Sequence, residues 1–228
     1  MIRTLLIAVL LVALLSVPAG NASGSQVIRV GILREQTRVV LMSDRSIDVL
    51  AGAGHRTVLM PGAHEIMPGS DGIQVGNAGE IIGPVRLIPV PDARLFVAIR
   101  PYRGIIEIRR TPSGRLTVIN ELGLEEYLYG VLKMEVDPAW PPEALKAQAV
   151  AARTLAVYSL GRFRAEGYDV RATTDSQVYG GIIAEDPRTT AAVDATRGEI
   201  ASFAGRPIFA AYHSDSGGFT ENSEHVWG

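Results

Sequence analysis

Hydrophobic and polar residues alternate with a period of two over much of the first half of the chain. Val27-Ile28-Arg29-Val30-Gly31-Ile32-Leu33 alternates apolar with small or polar positions, and Val39–Met42 and Ile47–Leu50 are short β-type runs. Gly and Pro punctuate the chain heavily between Gly52 and Pro91. Ile105–Arg110, Thr111-Pro112-Ser113-Gly114 and Leu116–Ile119 read as a hairpin. It is expected to turn Ile106 and Ile108 on one strand, and Leu116 and Val118 on the other, toward a core.

Near Leu122 the period changes. Leu124–Leu132 fits a short amphipathic helix, and Pro138, Pro141 and Pro142 then break the chain. Pro142 suits the first turn of a new helix, where its missing N–H costs nothing, and Glu143 suits the same turn electrostatically. The alanine-rich sequence that follows predicts one long helix over 142–164, with Leu145, Ala149, Ala152 and Ala156 on its core face. Beyond Gly167 the segments are short: strands at Tyr168–Val170, Gln177–Tyr179, Glu199–Phe203 and Ile208–His213, and a helix over Thr189–Thr196. The order predicts an α+β fold, a β-rich first part followed by a mixed part built on the long helix.

Residues 1–22 read as an address and not as fold. Arg3 precedes the apolar run Leu5–Leu15, and small residues end at Ala19 or Ala22, the pattern of a secretory leader. The run is short for a membrane span, so contact with a bilayer is expected only if this leader stays uncleaved as an anchor. Either way the rest is exported, to the periplasm, the cell wall or the outer face of the membrane. The expected division is thus a leader over 1–22, a β-rich portion over 26–100 and a mixed domain over 101–228.

Composition narrows the chemistry. The 228 residues are 47% hydrophobic and 20% charged, enough to bury a core without covalent staples. Cysteine is absent, which removes disulfides, thiol nucleophiles and cysteine-held metal. With a formal charge of −2, nucleic-acid binding through phosphate neutralisation is not expected. Nearly every cation is Arg; the lysines are Lys133 and Lys146.

Three clusters could carry chemistry. Glu135 lies on a loop or helix end just before the proline-rich entry to the long helix. Lys146 and Arg153, seven residues apart, share a face of that helix and would present two cations to whatever Glu135 faces. Such a set can handle polar or anionic sugar groups, although a Glu near a Lys and an Arg is more often a structural ion pair. The second cluster, Tyr212-His213-Ser214-Asp215-Ser216-Gly217-Gly218, could bring hydroxyls, an imidazole and backbone N–H groups to a pocket edge. Residues adjacent in sequence rarely form a hydrolase triad, and His213 with His225 makes a poor metal pair without further ligands. The third, Asp175-Ser176-Gln177-Val178-Tyr179-Gly180-Gly181, suits a sugar-binding surface or a capped turn equally.

Together these segments resemble the SpoIID/LytB domain family of stage II sporulation protein D and amidase enhancers. The resemblance runs through Tyr102-Arg103-Gly104, Glu126–Val131, Met134-Glu135-Val136, the long Trp140–Thr154 run, Asp175–Gly181 and Tyr212–Gly218. It implies a lytic transglycosylase that cuts peptidoglycan glycan strands stripped of stem peptides and leaves 1,6-anhydro ends. The family's catalytic acid falls on Glu135, and its functional basic residues fall on Lys146 and Arg153. Gln177, Tyr179, His213, Ser214 and Ser216 are expected to touch substrate. The alternative is a non-catalytic wall-binding protein that stimulates a cell-wall amidase. Some members hold zinc through Cys and His; Arg171–Ser176 offers neither, so no metal and no other cofactor is expected. Members usually continue past Trp227-Gly228, so the C-terminus is expected to fall within the domain.

Overall fold

The computed structural model describes residues 26–212 together with Gly218, Glu224 and His225. The leader expected over 1–22 and the expected site residues His213, Ser214 and Ser216 lie outside the described residues. The strands in chain order are β1 (Val27–Gln36), β2 (Val39–Ser43), β3 (Ile47–Ala51), β4 (Arg56–Leu59), β5 (Gly62–Pro68) and β6 (Ile73–Val75). Then come β7 (Glu80–Ile81), β8 (Val85–Pro89), β9 (Leu95–Val97), β10 (Arg100–Tyr102), β11 (Ile105–Arg110) and β12 (Leu116–Gly123). Helices α1 (Leu124–Glu135) and α2 (Pro142–Tyr158) follow directly, then β13 (Val170–Arg171), α3 (Pro187–Ala195) and the small hairpin β14 (Ser202–Phe203) with β15 (Arg206–Pro207). The fold is α+β, as the order of elements in the sequence implies.

One sheet runs β13-β1-β12-β11-β8-β3-β4 and a second runs β10-β9-β2-β5-β6-β7. The first sheet takes β1 from the start of the described chain and pairs it with β12 on one side and β13 on the other. The change of sequence character near residue 100 therefore does not separate two sheets. Apolar side chains from both sheets and all three helices share one core. Ile106, Ile108, Leu116 and Val118 face it as the hairpin pattern requires, as do Leu145, Ala149, Ala152 and Ala156 of α2.

The opposite face of the first sheet carries an arginine–glutamate network across four neighbouring strands. Arg29 on β1 stands opposite Glu121 on β12, and Glu107 on β11 stands opposite Arg86 on β8. Glu107 accepts from Arg29 Nη2 at 2.8 Å and Arg86 Nη1 at 3.0 Å, and also from Arg109. Glu121 accepts from Arg86 Nη2 at 2.7 Å and from Arg29. These cross-strand pairs close one face of the sheet with charge while the other closes with hydrocarbon.

The helices are held by a buried guanidinium. Arg153 in α2 is 1% exposed, and every N–H it has is spoken for. Its Nε and Nη2 donate to the Glu125 carboxylate in the first turn of α1, at 3.0 and 2.8 Å. Nη2 also reaches the Val193 carbonyl of α3 at 3.0 Å, and Nη1 reaches the Glu199 carbonyl at 3.0 Å. One side chain thus ties α1, α2, α3 and the chain after α3. The α2 helix stops at Tyr158, short of the expected 164. Gly161 takes a left-handed φ of 75°, and its N–H turns to the Asp169 carboxylate at 2.9 Å. The Ile208–Tyr212 segment, expected as a strand, runs without ladder pairing.

Two outcomes follow. Arg153→Lys keeps a charge but not the fork, so the urea-unfolding free energy should fall by about 3 kcal/mol, in the range for breaking a buried pair; an unchanged midpoint would remove the latch role. Burial pushes the Glu107 carboxyl up, but its arginines outweigh that and hold it below the ordinary 4.5; hydrogen bonds from Arg86 do the same for Glu121. Both depressed values give stability that is complete above about pH 4.5 and lost as pH falls through the lower folded values. Glu107→Gln should flatten the loss of stability measured between pH 5 and pH 2, and a slope equal to wild type would refute it.

Candidate functional site

Glu135 is the last residue of α1, partly buried where that helix gives way to the 136–141 loop. Its Oε1 accepts the backbone N–H of Val178 at 3.0 Å. Oε2 has no hydrogen bond among the described residues. A carboxylate at a helix C-terminus sits beside unpaired carbonyl oxygens, so a donor from another segment is what makes the position tenable.

That donor is fixed by the residues on either side of it. Gln177 is 2% exposed; its Nε2 donates to the Ala152 carbonyl of α2 at 3.3 Å and to the Tyr212 hydroxyl at 2.8 Å, and its Oε1 accepts from Tyr127 of α1 at 3.3 Å. Tyr179, 3% exposed, donates to Asn120 Oδ1 of β12 at 2.8 Å. Its ring lies between those of Tyr127 and Tyr102, at centroid distances of 5.2 and 6.0 Å. Gly130 of α1 makes room for it: a Cβ there would stand 2.5 Å from the Tyr179 ring. With the side chains of 177 and 179 pinned in the interior, the amide of Val178 between them is held against Glu135.

This arrangement corrects two of the expected substrate contacts. Gln177 and Tyr179 do not offer a sugar-binding surface; their polar atoms are consumed inside the fold, and they act on Glu135 through Val178. Arg153 is corrected in the same way, because a saturated, buried guanidinium has no donor left for a ligand. Its carboxylate partner Glu125 lies ten residues before Glu135, about 15 Å along the α1 axis. Lys146 stands apart from Arg153: its Nζ donates to Glu143 Oε1 at 2.8 Å, and it lines a cavity between α2 and α3. The shared face read from the helical spacing therefore does not turn both cations toward Glu135.

The structure adds Tyr212 and Tyr127. Burial pushes both phenols up; at Tyr212 the Gln177 hydrogen bond opposes this, and the charge of Glu135 adds a smaller upward push to each. The Tyr212 oxygen accepts from Gln177, and among the described residues its own proton has no acceptor. No signal in the sequence marks a backbone amide such as Val178 as a site group. Tyr212 could have been found from its place at the head of the Ser- and Gly-rich cluster. Among the described residues no three His, Asp or Glu side chains gather as metal ligands. A cleft of about 780 Å³ is lined by Glu125, Tyr129 and Arg197, among others, and Glu135 is not part of its lining.

Comparison with known proteins bears on this segment. Residues 112–203, from the β11–β12 turn to the end of β14, match the family described as SpoIID, Stage II sporulation protein. An uncharacterized protein of Brachyspira hyodysenteriae is 46% identical over 114 residues, which is 50% of this chain and 31% of that protein. The amidase enhancer of Bacillus subtilis is 45% identical over 100 residues, 44% of this chain and 13% of its own length. Stage II sporulation protein D of Bacillus amyloliquefaciens is 38% identical over 125 residues, 48% of this chain and 36% of its own. The chain thus spans about a third or less of the length of these relatives. The segment that builds α1, α2, α3 and the Glu135 setting matches a SpoIID domain, and through it the chain is similar to the SpoIID/LytB family.

Proposed function

We propose that this protein is an exported lytic transglycosylase that cuts peptidoglycan glycan strands between N-acetylmuramic acid and N-acetylglucosamine. The observation that carries the reading is the state of the Glu135 carboxyl group. One oxygen is fixed by Val178 N–H and the other has no hydrogen bond among the described residues, at a partly buried position inside the family-matched segment. A carboxyl group held by one oxygen can present the other for proton transfer at a defined angle.

In this mechanism Glu135 Oε2 gives its proton to the glycosidic oxygen as the bond from C1 to that oxygen breaks. The C6 hydroxyl of the same muramic acid then attacks C1, and its proton returns to Glu135. No water is consumed, and the product carries a 1,6-anhydro ring. A glycosidase that uses two carboxylates needs the second as nucleophile or as base for water. Here the sugar supplies the nucleophile, and Asp137, the carboxylate next along the chain, is occupied in capping Ala139 N–H at 2.8 Å. Tyr212 acts as a positioning residue through its hydroxyl, which accepts from Gln177 beside Val178. The expected habitat is the periplasm, the cell wall or the outer face of the membrane.

A second reading has its own observation, the 45% identity to a protein named amidase enhancer. In that case the domain would hold glycan strands and stimulate a separate cell-wall amidase without breaking a sugar bond.

Digestion of stem-peptide-free glycan strands, read by product mass, separates the two. Wild type should yield anhydro-ended fragments, and Glu135→Gln should lower the rate at least about 100-fold while strand binding survives. Full-rate cleavage by Glu135→Gln would refute the assignment. Amidase stimulation by both proteins without any cleavage would establish the enhancer reading instead. Tyr212→Phe should lower kcat about tenfold with KM and thermal stability nearly unchanged, because Gln177 keeps its bonds to Ala152 and Tyr127; a loss confined to KM would make Tyr212 a binding group.

A further inference from the structure

The cavity between α2 and α3 carries chemistry that strand cleavage at Glu135 does not use. It measures about 340 Å³ and is lined by Pro142, Leu145, Lys146, Arg188, Ala192 and Ala195, with Ala191 alongside. Its floor is hydrocarbon: Leu145 and Ala192 are buried, and Pro142 and the alanine methyls continue the surface. Two cationic residues, Lys146 and Arg188, are among those that line it. Lys146 has Glu143 as its partner, and Glu143 is 83% exposed, so the pair is a surface ion pair that a better-placed anion displaces at little cost. Arg188 spends one N–H on the Trp140 carbonyl at 3.1 Å, and the rest of its guanidinium has no other hydrogen bond among the described residues. The Asp186 carboxylate is occupied at the start of α3, where it accepts Arg188 N–H at 2.9 Å.

We propose that this cavity binds a small carboxylate bearing a methyl group on the adjacent carbon, a propanoate unit substituted at its second carbon. The carboxylate would sit between the Lys146 ammonium and the Arg188 guanidinium, which favours planar two-oxygen acceptors, and the methyl would rest on the alanine floor. The volume is at the low end of the ~300–1,000 Å³ typical of small-ligand sites, room for a side group and not for a glycan disaccharide. Peptidoglycan offers this unit in two places. One is the lactyl ether of muramic acid, whose carboxylate is free only when the stem peptide is gone. The other is the terminal D-alanine of a stem peptide. The inference rests on the peptidoglycan reading above and adds to it the group that a second site recognises.

The test is calorimetric titration of the whole chain with N-acetylmuramic acid and with N-acetyl-D-alanyl-D-alanine. N-acetylglucosamine and the C-terminal amide of the dipeptide serve as carboxylate-free controls. At least one acid should bind tenfold or more tightly than its control. Arg188→Gln and Lys146→Met should each weaken it about tenfold. Ala195→Leu, a change at an exposed helix position that fills the cavity, should abolish it. Binding of the muramic acid alone assigns the site to peptide-free strands, binding of the dipeptide alone assigns it to stem-peptide ends, and binding of both leaves the shared chemistry as the determinant. Binding of neither, or binding indifferent to Ala195→Leu, overturns the proposal. Pelleting with purified sacculi, run in parallel, distinguishes the failures: retained pelleting without acid binding removes only this site, whereas loss of both removes the peptidoglycan reading as well.

Discussion

A guanidinium cannot be buried cheaply, and the burial of Arg153 sets the terms for the rest of the helical layer. Five N–H groups withdrawn from water must each find an acceptor, or the folded state loses several kcal/mol. The acceptors here come from the first turn of α1, the end of α3 and the chain that follows it. Satisfying one side chain therefore fixes the relative positions of three elements far apart in sequence. The direction of α1 is the consequence that bears on chemistry. With its first turn anchored through Glu125, its last residue, Glu135, arrives at a set place beside the Gln177–Tyr179 segment. Arg153 thus bears on the site without reaching it.

The second constraint is local. Three consecutive residues in an extended segment do different work because their groups point in different directions. Gln177 and Tyr179 send side chains inward to α2, β12 and the tyrosine stack, and Val178 between them turns its amide toward Glu135. A backbone N–H is a good choice for this task. It cannot change rotamer, carries no net charge, and is positioned by whatever positions its neighbours. The cost is borne in packing: the tyrosine ring needs the missing Cβ of Gly130.

How much of this was legible beforehand varies with the range of the interaction. Alternation and helical period are local, so β1, β3, the β11–β12 hairpin and the core face of α2 could be read from the chain. Proline at Pro142 marked the start of α2, but its end depended on Asp169 capturing the Gly161 amide, a contact that no local pattern announces. The pairing of β1 with β12 and β13 is likewise non-local, and it unites two portions that differ in sequence character. At the candidate site, the motif singles out Glu135 as the expected acid. The roles of its companions were not legible, because Gln, Tyr and Arg are residue types that serve a ligand and a core equally well. Burial decides between those uses, and burial is a property of the assembled fold.

That division also explains why the helical spacing of Lys146 and Arg153 misleads. Seven residues place two side chains on one stripe of an ideal helix, but a stripe two turns long passes different neighbours at its two ends. At Arg153 the stripe meets Glu125 and the end of α3, which close over the guanidinium. At Lys146 it meets Arg188 and the alanines of α3, whose small side chains leave a cavity open to solvent. The same face of α2 is thus sealed at one end and available at the other. A cation that is structural in the first setting is a candidate for binding in the second, and the difference lies in the side-chain volume of α3 and not in α2 itself.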